Sequence, residues 1–239
     1  MRKSVIKIFA LLMSVLMLVS GCGKLVKVTQ SNKSYRTINS FDSPAVLFDG
    51  WKPLNFKSGE AYRYFFEINT GVNIVDGHFE LSIGGRAPKN LKFAWKYTIG
   101  FETMEGGCYG TTDKFYEKLG EFSDKNPLTA MVFSSLIAPF EYSSLYTKLV
   151  SDFSKFDIGS TLEAEYKGVN YKHRVESKES IGGIDGYTMM TSRDDIPLSV
   201  ITVSPFVELP TYSLFFSDEK GEEAFYIMCS LEGVIIPDD

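Results

Sequence analysis

Two histidines, three cysteines and thirty carboxylates are the side chains in this 239-residue chain with the most obvious capacity for chemistry. Nucleophilic catalysis needs a nucleophile, a base and an orienting group. His78 and His173 are the only imidazoles. Neither stands beside a nucleophile signature, and the sequence has no Gly-x-Ser-x-Gly elbow. Both read as solvated strand residues: His78 follows the turn signal Asp76-Gly77, and His173 lies between Lys172 and Arg174. The run Gly106-Gly107-Cys108-Tyr109-Gly110-Thr111-Thr112 has the glycines of a phosphate loop but not the lysine of Gly-x4-Gly-Lys-Ser/Thr. It reads as a turn into a helix. Two histidines and three cysteines are too few for most multi-ligand zinc or iron–sulfur sites. Glu102, Glu105, Asp194 and Asp195 are candidate carboxylates, but nothing sets the separation that glycoside hydrolysis requires. Asp194-Asp195, just before Ile196-Pro197, is most simply a turn. The expectation is no catalytic centre, no metal and no cofactor.

Cys22 has a different setting. Arg2, Lys3 and Lys7 form a positive start, and Ile8–Val19 is an uncharged run of 12 residues. Small residues Ser20 and Gly21 follow. These are the dimensions of a secretory signal peptide. The run falls short of the ~20 residues needed to span a bilayer. Val19-Ser20-Gly21-Cys22 resembles the bacterial lipobox: an aliphatic residue, a small residue, Gly or Ala, then Cys. The resemblance covers the first 22 residues. It implies that residues 1–21 are removed and that Cys22 is acylated and becomes the mature N-terminus. It also implies a place in the bacterial cell envelope, outside the cytoplasm. Gly23 stands where an Asp would favour inner-membrane retention, which leans toward the outer membrane if the cell has one. Two or more acyl chains anchor stably where one binds marginally, at about 0.8 kcal/mol per buried CH₂.

Removing residues 1–21 takes away three basic residues and no acid, so the net charge falls from −5 to −8 over 218 residues. Such a balance argues against nucleic acid as a partner. Residues 22–44 read as an acylated Cys and a flexible tether. Gly23–Phe41 holds four basic residues and no acid, and eight of its 19 residues are Ser, Thr, Asn or Gln. That composition buries little core, and its cations suit anionic headgroups. The other reading starts a strand at Leu25-Val26-Lys27-Val28-Thr29.

One α+β domain, mainly antiparallel β, is expected over 45–239. Tyr62, Tyr64, Phe66 and Ile68 alternate with Arg63, Phe65, Glu67 and Asn69, a period of two. Phe79, Leu81 and Ile83 share a face in His78–Ile83. Gly84-Gly85 and Pro88-Lys89-Asn90 break the chain. Leu91, Phe93, Trp95, Tyr97 and Ile99 then alternate with polar residues, completing a meander. Thr112 is a candidate cap for a helix carrying Phe115, Leu119 and Phe122 at helical spacing. Asn126-Pro127 starts a second helix, expected to stop at Pro139. A third is expected near Glu141–Phe153. Strands return at Leu162–Tyr166, Tyr171–Glu176, Gly186–Ser192, Leu198–Val203, Tyr212–Phe216 and Ala224–Leu231, with Asp218–Gly221 turning the last pair.

Cys108 and Cys229 allow one intramolecular disulfide in a compartment that permits it. Two buried free thiols are the alternative. Pro127–Phe140 is fourteen residues without a charge. A helix apolar nearly all round is buried or covers something apolar. It is therefore either a core helix or a lid over an apolar hollow. Phe66, Phe93, Trp95, Tyr97, Met131 and Leu136 are the residues expected to line such a hollow.

This order of elements, on an acylated chain, is similar to the half-barrel (β-clam) of periplasmic lipoprotein carriers of the Lol type and related mycobacterial lipoproteins. The resemblance covers about 60–236, including Ser204-Pro205-Phe206-Val207-Glu208-Leu209-Pro210-Thr211-Tyr212 before a late strand. It implies a curved sheet wrapped around an apolar cavity, with two or three helices inserted between two sets of strands. It carries over no functional residue. Two function classes follow: an anchored binder of lipid or another apolar molecule, and a structural or assembly lipoprotein that works through contacts with envelope proteins. An enzyme is the third class and lacks a motif.

Overall fold

The computed structural model describes residues 54–86, 90–141, 158–166, 168–216 and 226–236. Within these residues ten strands form one open antiparallel sheet. The first four are β1 (Ala61–Asn69), β2 (Ile74–Arg86), β3 (Asn90–Ile99) and β4 (Glu102–Gly110). Among the described residues two helices follow, α1 (Thr112–Ser123) and α2 (Pro127–Glu141). The returning strands are β5 (Thr161–Tyr166), β6 (Val169–Ile181), β7 (Ile184–Arg193), β8 (Ile196–Val203), β9 (Tyr212–Phe216) and β10 (Tyr226–Ile235). Their spatial order is β4-β3-β2-β1-β10-β9-β8-β7-β6-β5. Each half is thus a meander, and β1 pairs with β10 to join them. This is the expected α+β architecture of a curved sheet with helices between two sets of strands.

The curl is strong. β6 and β10 are four steps apart in the sheet. Yet a Cβ on Gly182, in the β6–β7 turn, would stand 2.7 Å from Leu231 O of β10. Register shifts at Arg63/Tyr64, Val175/Ser177 and Thr191/Ser192 contribute, because a bulge bends its strand and increases local twist.

The core lies between the first half-sheet and the helices. Tyr62, Tyr64, Phe66 and Ile68 of β1 are buried, as are Phe79, Leu81 and Ile83 of β2 and Leu91, Phe93, Trp95 and Tyr97 of β3. Phe115 and Leu119 of α1 close on them; the Phe115 ring stacks on Phe93 at 4.5 Å between centroids. Val132, Leu136 and Ile137 of α2 belong to the same buried cluster. Of the two readings of the uncharged helix, α2 therefore takes the core position. Its Ser135 hydroxyl lies 3.0 Å from the Cys229 sulfur of β10.

Several expectations are corrected. Asp76-Gly77 is not a turn but lies inside β2; the β1–β2 turn is Thr70–Asn73, closed by Thr70 N–H donating to Asn73 O at 2.9 Å. Gly77 is there for space: a Cβ would sit 2.2 Å from Thr98 O. Gly84-Gly85 likewise continues β2. The glycine run is no turn into a helix until its end. Gly106 and Gly107 are in strand β4, which alternation missed because glycines carry no hydropathy signal. Thr111, not Thr112, caps α1, its hydroxyl accepting from Lys114 N–H. Helix α2 runs past Pro139 to Glu141. The Asp194-Asp195 turn stands as expected: both residues have positive φ (47° and 65°) between paired Arg193 and Ile196. The signal segment, Cys22, the tether, the helix near Glu141–Phe153 and the Asp218–Gly221 turn lie outside the described residues.

Candidate ligand trough

The six residues expected to line a hollow come together as packed core beneath the helices, not around a hollow. Phe66, Phe93, Trp95, Tyr97 and Leu136 are buried in the one apolar cluster, and Met131 is partly buried against it. Phe93 and Trp95 also border a cavity of about 1110 Å³ on the opposite side of the sheet. That is slightly above the usual range of small-molecule sites, ~300–1,000 Å³.

The pleat explains this cavity. Side chains alternate between faces along a strand. With Phe93, Trp95 and Tyr97 turned to the helices, Lys92, Ala94 and Lys96 face away from them. Cross-strand register then places Ile235, Ala61, Ser82, Ala94 and Gly107 in one row across β10, β1, β2, β3 and β4. Ala and Gly are depleted in strands, where larger side chains pack better. Four small residues in register on adjacent strands leave a trough running across the sheet. Four strand steps give it a length of about 19 Å.

Its walls differ. The neighbouring row on one side is Arg63, Glu80, Lys96 and Glu105. Arg63 is held by Glu232, Nε to Oε2 at 2.9 Å, and by Glu80 at 3.8 Å. On the other side Lys92 lies 5.9 Å over the Tyr109 ring, which is 71% exposed. The β10 end is apolar, made by Ile184, Ile235 and Ile236. Sequence reading missed the trough because its floor exists only in the register between strands.

A second polar cluster ties the segment before β1 to the loop before β9. Tyr62 Oη donates to Glu60 Oε2 at 2.9 Å and accepts from Glu208 N–H at 3.2 Å. Asn55 N–H donates to Glu208 Oε2 at 3.0 Å, and Lys57 N–H to Glu60 Oε1 at 3.0 Å. Burial pushes the Glu208 carboxyl up to about 7, and the Glu60 carboxylate adds to the rise against the Asn55 N–H. Burial also raises Glu60. A carboxyl raised in the folded state stabilises fully below its ordinary value of 4.5 and loses that contribution as pH climbs toward about 7. Glu208→Gln keeps the acceptor for Asn55 and removes the charge. The variant is expected to match the parent near pH 4.5 and to exceed it at pH 8, by up to about 3 kcal/mol in urea unfolding. Equal stabilities at pH 8 would contradict the assignment.

His173 is not solvated, contrary to the sequence reading. It is buried, its Nδ1 is 2.7 Å from Thr191 Oγ1, and burial lowers it to about 4. Its neighbours in chain sequence are cationic, but the curl of β6 turns this face inward. His78 stays partly exposed, 3.1 Å from Glu232 Oε2. Among the described residues no three metal-ligating side chains converge.

The disulfide is absent. Cys108 and Cys229 are both free. They lie in β4 and β10, four strand steps apart. Their rows are also offset along the strands: Cys229 pairs with Phe66 and, through Gly77, aligns with Ile99 of β3, whereas Cys108 pairs with Phe93, so the two lie beyond the ~7 Å Cα separation a cystine can span. Cys229 is fully buried, and burial pushes its thiol up to about 12.

No protein-family profile and no curated protein matches the chain. Among solved structures it is similar to MucB, with 10% identity and a TM-score of 0.44, over 80% of this chain and 58% of that one. The chain thus spans less than two thirds of MucB. It is also similar to a protein with YmcC-like fold from Bacteroides fragilis, at 10% identity and TM-score 0.29, over 78% of this chain and 99% of that one. A third likeness is to a β-barrel-like protein of domain of unknown function DUF1849 from Brucella abortus. It has 9% identity and TM-score 0.30, over 76% of this chain and 98% of that one.

Proposed function

We propose that this protein is an acyl-anchored lipoprotein of the bacterial envelope whose body binds an apolar or amphiphilic molecule. The observation that carries the binding role is the trough over Ala61, Ser82, Ala94 and Gly107. Its floor is built of small side chains where strands ordinarily place large ones, and one end is lined by isoleucines. The address rests on the apolar run and Val19-Ser20-Gly21-Cys22. A binding role fits the trough's small-residue floor and apolar end directly. The membrane and the bound molecule are the partners on this reading.

Ala94→Trp tests it. The indole would fill the middle of the floor without touching the core face. A soluble chain beginning after Cys22 should retain an apolar species found by mass spectrometry of organic extracts. It should also bind a fluorescent fatty-acid analogue. Ala94→Trp should weaken analogue binding at least about tenfold, roughly 1.4 kcal/mol, with unchanged thermal unfolding. No enriched species and no analogue binding would discard the binding role. The structural reading, contact with envelope proteins, would then remain.

A further inference from the structure

We infer that the trough takes a single-chain amphiphile with an anionic head, its tail toward β10 and its head at β3–β4; this rests on the binding role proposed above. The inference stands on how charge and apolarity are divided along the trough. At the β10 end Ile184, Ile235 and Ile236 line it, and Ile235 is 60% exposed with no cover from the sheet. An exposed large aliphatic at the mouth of a trough is a surface that an acyl tail would bury favourably, at ~25 cal/mol per Å².

The opposite end is basic and aromatic. Arg63 is shared between Glu80 and Glu232, so one cation faces two carboxylates and the middle of the wall is left slightly negative. Lys92 and Lys96 differ: among the described residues neither has an anionic partner within ion-pair distance, and Lys92 instead lies over Tyr109. Glu105 faces Lys96 in register without forming an ion pair. The trough lining holds three basic side chains and two acidic ones, in a chain whose net charge is −5. On β3 and β4 themselves Lys92 and Lys96 stand against Glu105, while Glu80, the other neighbour of Lys96 in register, lies on β2 and is engaged by Arg63; this end therefore has one positive charge in excess, which favours a carboxylate or phosphate head and disfavours a cationic one. The ~19 Å length matches an extended acyl chain of about sixteen carbons.

The test uses the full acylated chain in phosphatidylcholine vesicles. Photoreactive C16 probes with a diazirine at the tail end would carry a carboxylate, a phosphate monoester, a neutral alcohol or a quaternary ammonium head. Crosslinked peptides are mapped by mass spectrometry. The carboxylate or phosphate probe should label residues 226–236 at least about fivefold more than the neutral and cationic probes. The better of the two identifies the head as fatty acid or phosphate ester. Lys92→Gln with Lys96→Gln should reduce anionic labelling to the neutral level and leave neutral labelling unchanged. Equal labelling by all heads, preference for the cation, or an unaffected double variant overturns the anionic head. Labelling of residues 90–110 in place of 226–236 overturns the orientation. Absence of trough labelling by every probe sinks the binding role itself, a separate failure.

Discussion

Trp95→Ala is expected to lower the unfolding free energy by about 3–5 kcal/mol, the range for removing a large aromatic from a packed core. Trp95 is 4% exposed. Its ring lies 5.9 Å from Phe115 and 5.8 Å from Phe122, so it joins the sheet to α1. Opposite it in register stands Gly106, and a Cβ there would come within 2.7 Å of the indole. The glycine thus leaves the space the ring fills. Phe93 and Tyr97, on the same face, are themselves buried and packed on Phe115 and Phe122, so they cannot move in to close the gap. Urea unfolding on a Trp51→Phe background measures the loss, since Trp51 is the only other tryptophan. Acrylamide should quench Trp95 poorly in that background. A loss under 1 kcal/mol with free quenching would mean that the ring borders an open space and that the packed core does not extend to it.

Cys22→Ser is expected to abolish membrane anchoring, an all-or-none effect. The thiol carries the acyl chains on the lipobox reading, and a serine hydroxyl does not replace it. Processing follows lipid addition in that class, so the variant should accumulate as uncleaved precursor retaining residues 1–21. Metabolic labelling with palmitate should mark the parent and not the variant. A parent chain that takes up no label would remove the lipoprotein assignment, whatever the trough binds. Stable attachment by two chains, against marginal attachment by one, makes the loss easy to read in membrane flotation.

Much of the local structure was legible. The alternation Tyr62, Tyr64, Phe66 and Ile68 names a buried face because a strand has period two. Leu91, Phe93, Trp95 and Tyr97 do the same for β3, and all eight residues are buried. Asn126-Pro127 marks the start of α2, since proline at the first helical position loses no helical hydrogen bond. β4 was not legible: Gly106 and Gly107 erase its pattern, and the strand exists because β3 offers it a complete ladder of partners. The end of α2 was misjudged because a proline near a helix C-terminus can be retained when tertiary packing supports the helix.

What the sequence by itself determined is the set of faces: which residues are apolar, and at which period. What only the tertiary structure decided is who stands beside whom. Ala61, Ser82, Ala94 and Gly107 are ordinary small residues until backbone hydrogen bonds set four strands in one register. Glu60 and Glu208 are 148 positions apart and meet only where Tyr62 bridges the start of β1 to the loop before β9. Cys229 and His173 look like strand residues of no special kind, and the packing of α2 and the curl of the sheet bury them. The physical reason is common to all three. Side-chain periodicity is encoded within a few residues, whereas register, curvature and burial depend on contacts that close loops of tens to hundreds of residues and are chosen by the whole chain at once.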